Sequence, residues 1–455
     1  MQYTRELAAF CSGIALDALP GEVVQKARLC VLDFVANVYG SLELDAVRRV
    51  VAYIRAQEGP PAATALGCGF RTGVRDAAFV NGVAAEAIEA QDGLRFGGNH
   101  PGTAVIPAAL AVAEERGLGG RQVLEAVVAG YETANRIAAC MHPHHTLTGF
   151  LPTGTCGTFG AAVAAGRLLG LNTDGLLNAL GNAGYLTPLS MAEQLMGGYT
   201  VKIVQGGQAT AAGITAAGLA QAGITGAPYV LEGSELKGGF TQITTRAEPV
   251  LDRLTDRLGT HYTLMDVYFK PYTACRHTHG AAQATLDLVR EEGVYPEEVE
   301  SIVVHTYGIA LLAVGKGVGP TDTFVAAQFS IPYVVAACLR DGDLGPGQLT
   351  EKRVADPALL ELARRVDVVC DEDLNAAYPE RTATRVEMTL RDGRRVSRQV
   401  DIPKGDPRDP MAQEDLVRKV LRFAGPRDPD RLERLIRAVL DIENLTDIRD
   451  LTELV

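Results

Sequence analysis

The sequence predicts a mainly α protein, helical over residues 1–265, α+β over 266–405 and helical again over 406–455. Three observations carry that reading. Apolar residues recur at helical spacing through the long first part, and strand-like alternation is confined to the middle. After Pro403-Lys404-Gly405-Asp406-Pro407 the chain turns back to charged amphipathic helix. At 455 residues it is too long for one simple core, so two domains are expected.

The elements follow in order. Glu22 to Tyr39 (EVVQKARLCVLDFVANVY) has helical spacing, with Gly40 as the expected stop. Asp76 to Glu89 (DAAFVNGVAAEAIE) reads as a small-residue helix with Asp76 as its cap. Residues 103–117 and 121–140 give two more helices, separated by Gly117 to Gly120. The stretches Gly154 to Leu171 and Gly206 to Ile224 repeat Ala and Gly every three or four positions, which on a helix lets neighbouring backbones approach. Gly154, Gly157 and Gly160 are not a dinucleotide fingerprint, because no β-branched strand precedes them and no acid follows in a βαβ context. Glu300 to Gly308 (ESIVVHTYG) alternates like a strand, and Thr384 to Val400 reads as a hairpin about Asp392-Gly393. A helix is expected between them at Phe329 to Gly342. The closing segments EDLVRKVLRFAG and DRLERLIRAVLDI are amphipathic helices suited to returning to the first domain.

Composition narrows the function. Hydrophobic residues make up 47% and charged residues 22%, as in a soluble globular protein. A net charge of −12 argues against a nucleic-acid surface and an anionic membrane surface, but leaves room for a local basic pocket. The first residues lack the pattern of a signal peptide, and no run approaches the length of a membrane span. The eight cysteines are scattered without a C-x-x-C pair, which opposes a zinc or iron–sulfur site. They read as small buried hydrophobes in a reducing cytoplasm, the expected location.

Two clusters could carry chemistry. In QDGLRFGGNHPG (Gln91 to Gly102), Asp92, Arg95 and His100 surround a Gly-rich loop, suited to substrate positioning and proton transfer, or to a plain solvent loop. In FKPYTACRHTHG (Phe269 to Gly280), Lys270, Arg276, His277 and His279 lie within ten residues. Arg offers a two-pronged donor to a carboxylate, Lys a compact charge, and His titrates near neutrality; the alternative is a solvated basic turn. MHPHHT (Met141 to Thr146) resembles a metal tract but lacks carboxylate or thiolate partners nearby, so no metal is expected. Lys202 precedes an Ala/Gly helix, where an anion can bind.

These segments, taken in order, resemble the MmgE/PrpD family over nearly the whole chain. The resemblance rests on AAFVNGVAAEAIEAQD, NHPGTAVIPAALAVAEERG, FLPTGTCGTFGAAVAAGRLLGL, the K-x-x-x-G-G-Q-A pattern at Lys202, KPYTACRHTH, AAQFSIPYVVAACLRDGD and DIPKGDPRDPMAQEDL. Glu86, Gln91, Leu151 and Gln205 depart from it, the family often having histidine at the first, third and fourth positions and an acid at the second.

The resemblance implies a large helical domain built from both chain ends (1–265 completed by 406–455), an inserted α+β lid (266–405), a homodimer and no cofactor. It implies a site of Asp92, His100, Lys202, Lys270, Arg276 and His279, with Gln91 and Gln205 contacting substrate. The implied activity is a lyase acting at a C–H beside a carboxylate of a small di- or tricarboxylic acid, first a 2-methylcitrate dehydratase-like dehydration. The alternatives are a dicarboxylate epimerase, a cis-aconitate-type decarboxylase and a non-catalytic metabolite binder. His100 is expected to move the proton, with Asp92 orienting it, while Lys202, Lys270 and Arg276 hold carboxylates. His279 or a lysine is expected to protonate a leaving hydroxyl.

Overall fold

The computed structural model describes residues 2–455. It is mainly helical, with 58% of residues in helices and 9% in strands. The long helices are α1 (Gly21–Ser41), α2 (Val74–Ala87), α3 (Gly102–Arg116), α4 (Gly120–Met141), α5 (Pro152–Leu168), α6 (Thr173–Leu186) and α7 (Gln205–Gln221). They pack on one another around a shared apolar core. Further along lie α8 (His279–Glu292) and α9 (Ile331–Asp341), then α10 (Gln413–Ala424) and α11 (Pro429–Leu440). No described helix is long and apolar enough to cross a membrane.

Strands β1 (Ala63–Ala65) and β2 (Phe70–Thr72) pair with each other, as do β3 (Gly93–Leu94) and β4 (Val267–Tyr268). A mixed four-stranded sheet is ordered β6 (Val366–Cys370), β5 (Val299–Thr306), β7 (Thr384–Leu390), β8 (Arg395–Val400). Strand β5 runs parallel to β6 and antiparallel to β7, with Ile302 opposite Val366 and Met388. The expected hairpin is β7–β8, and Gly393 takes φ 86 at its turn, a conformation a side chain resists.

Small residues set the close approaches that position the site. A Cβ on Gly82 would lie 2.8 Å from the backbone of Gly207, so α2 and α7 touch main chain to main chain. That contact brings the end of α2 beside the residues just before α7. Gly40, expected as a stop, lies inside α1, which runs on to Ser41. A Cβ there would meet Ile88 Cδ1 at 2.7 Å, so this glycine serves packing and not termination.

The C-terminal helices return to α1. Lys419 on α10 pairs with Asp33 on α1 at 2.6 Å, both side chains being buried. Gln25 donates to Gln413 at 2.8 Å, and Arg28 pairs with Glu443. Six of the eight cysteines are buried and all eight are free thiols; Cys68 is partly buried and Cys370 exposed.

Candidate active site

Helix α2 was expected to continue to Glu89, but it ends at Ala87. Glu89 takes φ 54, a left-handed conformation that an acyclic side chain adopts only under constraint. The constraint is visible in the main-chain carbonyls of this short segment. Gln328 donates to Ala87 O at 2.8 Å, Lys270 to Glu89 O at 3.1 Å, Lys419 to Ala90 O at 2.7 Å, and His100 Nδ1 to Asp92 O at 2.6 Å. Three distant parts of the chain, with the nearby His100, thus fix this short segment.

The side chain of Glu89 then meets both site lysines. Lys270 Nζ is 2.7 Å from Oε1, and Lys202 Nζ bonds Oε2. Lys202 also reaches Glu86 Oε1 at 2.8 Å, and Gln205 donates to that same oxygen at 2.7 Å. The family departures Glu86 and Gln205 therefore bond to each other; Glu86, Glu89, Lys202 and Lys270 are buried and Gln205 is half-buried. Burial alone would raise the Glu89 carboxyl, but Lys202 and Lys270 outweigh it and hold the group well below the usual carboxylate range. Burial opposes the charge of Lys202, yet Glu86 and Glu89 raise its pKa overall. Two lysines face two glutamates, so the cluster is charge-balanced. Glu86 Oε2 is buried without a donor.

His100 Nε2 lies 4.0 Å from Glu89 Oε1. Because Nδ1 donates to a carbonyl, Nε2 carries the free lone pair directed at the cluster. Burial, and then the charge of Lys270, hold His100 down to about 3, so the ring is neutral at pH 7. Its orientation comes from the Asp92 main chain. The Asp92 carboxyl turns the other way, accepting from Tyr131 at 2.6 Å and from the Gly102 amide of α3 at 3.1 Å. Burial, with the nearby Asp33 charge, pushes it up to about 7. The segment is therefore no solvent loop: its residues 93–94 form β3, paired with residues 267–268 just before Lys270.

Arg276 donates to Lys404 O and Pro403 O, both at 2.7 Å, and stacks 5.1 Å from the Tyr268 ring centre. It has no carboxylate partner among the described residues. His279 donates from Nε2 to Ala274 O at 3.0 Å and accepts from Arg276 through Nδ1 at 3.4 Å, which engages both ring nitrogens. Gln91 approaches Glu89 Oε2 at 3.4 Å. The MHPHHT histidines disperse: His145 is buried between Thr244 and Thr155, whereas His142 lines a surface cleft.

Three residues of this constellation escaped sequence reasoning. Glu89 and Glu86 are spaced i, i+3 in a stretch of small apolar residues, and two acids on one face of such a helix were the available signal. Lys419 lies 329 residues from its Ala90 acceptor and left no local sign.

The profile of the MmgE/PrpD N-terminal domain matches residues 5–251, and that of the MmgE/PrpD C-terminal domain matches residues 272–444. A cis-aconitate decarboxylase of Aspergillus terreus is 29% identical over 99% of this chain and 95% of its own length. The cis-aconitate decarboxylases of Homo sapiens and Mus musculus are each 27% identical over 99% of this chain and 93% of theirs. With both profiles matched over most of its length, the chain belongs to the MmgE/PrpD family.

Proposed function

We propose that this chain is a cofactor-independent lyase acting at a carbon beside a carboxylate of a small di- or tricarboxylic acid. The observation that carries the reading is the convergence of Lys202 and Lys270 on Glu89, with the free Nε2 of His100 4.0 Å from the same carboxylate. Removing a proton or CO₂ from such a carbon leaves charge that spreads onto the neighbouring carboxylate, and fixed ammonium groups stabilise it. A substrate carboxylate arriving at the lysines weakens their hold on Glu89 and makes Glu89 a stronger base. As CO₂ leaves, the carbanion takes a proton that Glu89, once its pKa rises, has drawn from solvent and passed through His100 Nε2. Arg276 takes a second carboxylate in its planar donor fork.

Among lyase reactions, decarboxylation is favoured over the dehydration expected from sequence. The relatives named cis-aconitate decarboxylases, coextensive with this chain, support it. His279 adds to this: a leaving hydroxyl needs an acid, and both nitrogens of His279 are engaged, which leaves only a lysine of the two groups expected in that role.

The same reading takes residues 266–405 as a lid over a helical domain of 1–265 and 406–455, since Lys270 and Arg276 come from the former and Glu89, His100 and Lys202 from the latter. It places a homodimer contact on the exposed apolar band Tyr185, Leu189, Met196, Tyr199 and Val201, of which Tyr185 is 93% exposed. Sedimentation should show a dimer that Tyr185→Asp with Tyr199→Asp converts to a monomer. The free, mostly buried thiols fit a cytoplasmic location.

The test is a panel of C4–C7 polycarboxylates incubated with the protein in heavy water and followed by NMR. Loss of CO₂ with one solvent deuterium in the product is the expected result. Loss of water would make it a dehydratase, and exchange without net loss an epimerase. No change in any acid would overturn the enzymatic reading.

A further inference from the structure

The segment that carries Asp92 and His100 has an outer wall as well as an inner one. Beside Arg95 and Phe96 a cleft of about 590 Å³ opens to solvent, walled on the far side by Tyr378 and Pro379. The whole chain carries a net charge of −12, yet four arginines reach this cleft against two aspartates, Asp256 and Asp266. Arg136 is committed elsewhere, being buried and paired with Glu132 at 2.9 Å. The others are not. Arg253 is exposed and donates only to Ala139 O at 2.8 Å. Arg257 meets Asp256 at 3.1 Å, but both are largely exposed, and such a pair holds weakly. Arg257 is also kept at φ 49, the left-handed region, which needs local constraint.

Two polar atoms in the cleft wall point the same way. Arg95 Nη2 and His142 Nδ1 are each buried without a hydrogen-bond partner. They flank one aromatic ring: the Arg95 guanidinium lies 4.8 Å from the Phe96 centroid, and the His142 ring lies 6.4 Å from it. The wall continues inward from there. Tyr378 stacks on Tyr307 at 4.8 Å, and the Tyr307 hydroxyl meets His277 Nδ1 at 2.7 Å, next to Arg276. A half-buried guanidinium with one buried nitrogen unpartnered and no carboxylate beside it is suited to hold an anion.

We propose that this cleft is a second anion site that captures a small polycarboxylate and feeds it to the buried cluster, with Arg253 and Arg257 at its rim and Arg95 at its inner end. The proposal rests on the polycarboxylate reading above for its route, but its binding step can be tested without turnover. The probe is citrate, with inorganic phosphate as competing anion, titrated calorimetrically at low ionic strength into the full-length wild type, Arg253→Gln/Arg257→Gln and His100→Asn. Citrate should bind the double variant about tenfold more weakly and His100→Asn as well as wild type. With whichever acid the panel shows to react, the double variant should lose about tenfold in kcat/KM and most of its salt dependence, with kcat unchanged. Citrate binding and salt dependence equal in wild type and double variant would overturn the proposal. Equal phosphate abolishing citrate binding would overturn the polycarboxylate assignment. If no acid reacts, the function fails while the calorimetry still decides the cleft.

Discussion

Two buried lysine–carboxylate clusters flank the same short segment, and they differ in one respect. On one side of Ala90, both oxygens of Asp33 have donors, from Lys419 and Asn37, and Lys419 spends its second bond on Ala90 O. On the other side, Glu86 Oε2 has no donor, and the free nitrogen of His100 stands 4.0 Å from Glu89. In the first cluster the carboxylate is fully paired and only the Asn37 amide oxygen lacks a partner; in the second a carboxylate oxygen is left spare beside a neutral base. Burying ions is costly in either case. The closed cluster offsets that cost with geometry, and the open one retains it where charge must develop.

That contrast can be broken by paired substitutions. Lys419→Met alone strands a buried carboxylate and should destabilise by about 3–5 kcal/mol in denaturant unfolding. Lys419→Met with Asp33→Asn should recover most of the stability and much of the activity. In the open cluster, Lys202→Met with Glu86→Gln should recover stability comparably while activity stays down by roughly 10²–10⁴-fold, because the lost cation acts in the reaction. Equal recovery of activity in both pairs would erase the distinction.

His100→Asn sharpens it further. Turnover should fall by about 10²–10⁴-fold with the thermal midpoint little changed. Unchanged turnover would remove His100 from the mechanism.

A smaller effect concerns Asp92, which belongs to neither cluster but lies close to Asp33. Its folded pKa of about 7 is above that of an unfolded aspartate, so the folded state holds the proton more tightly. Its contribution to stability is therefore full at low pH and is lost as pH rises from about 4 through 7. Asp92→Asn should flatten that part of the profile, measured by urea unfolding at pH 5 and pH 8. An unaltered slope would mean that the carboxyl ionises normally. Gln205→Ala, which removes one donor from Glu86, should cost the least, about 1–3 kcal/mol.

Most helices were legible because apolar spacing is a local signal, and the hairpin at Asp392-Gly393 because its turn chemistry is equally local. What failed was long-range. Gly40 looks like a stop until Ile88 is packed against it. The loop at Gly93-Leu94 looks solvated until residues 267–268 pair with it. Lys202 and Lys270 were legible as cations that meet carboxylates, whereas Arg276, expected to do the same, donates to main-chain carbonyls. Their present partners were not legible, because the φ 54 turn that delivers Glu89 to two lysines is held by side chains from three distant segments and by the nearby His100.

The central claim is that Glu89 and His100 move a proton at carbon under the charge of two lysines. The most direct measurement is solvent deuterium incorporation during turnover in heavy water, compared among wild type, Glu89→Gln and His100→Asn. The account predicts one deuterium at the carbon beside the carboxylate with wild type, and incorporation slowed by at least about 10² in each variant. Incorporation at the wild-type rate in both variants would contradict it.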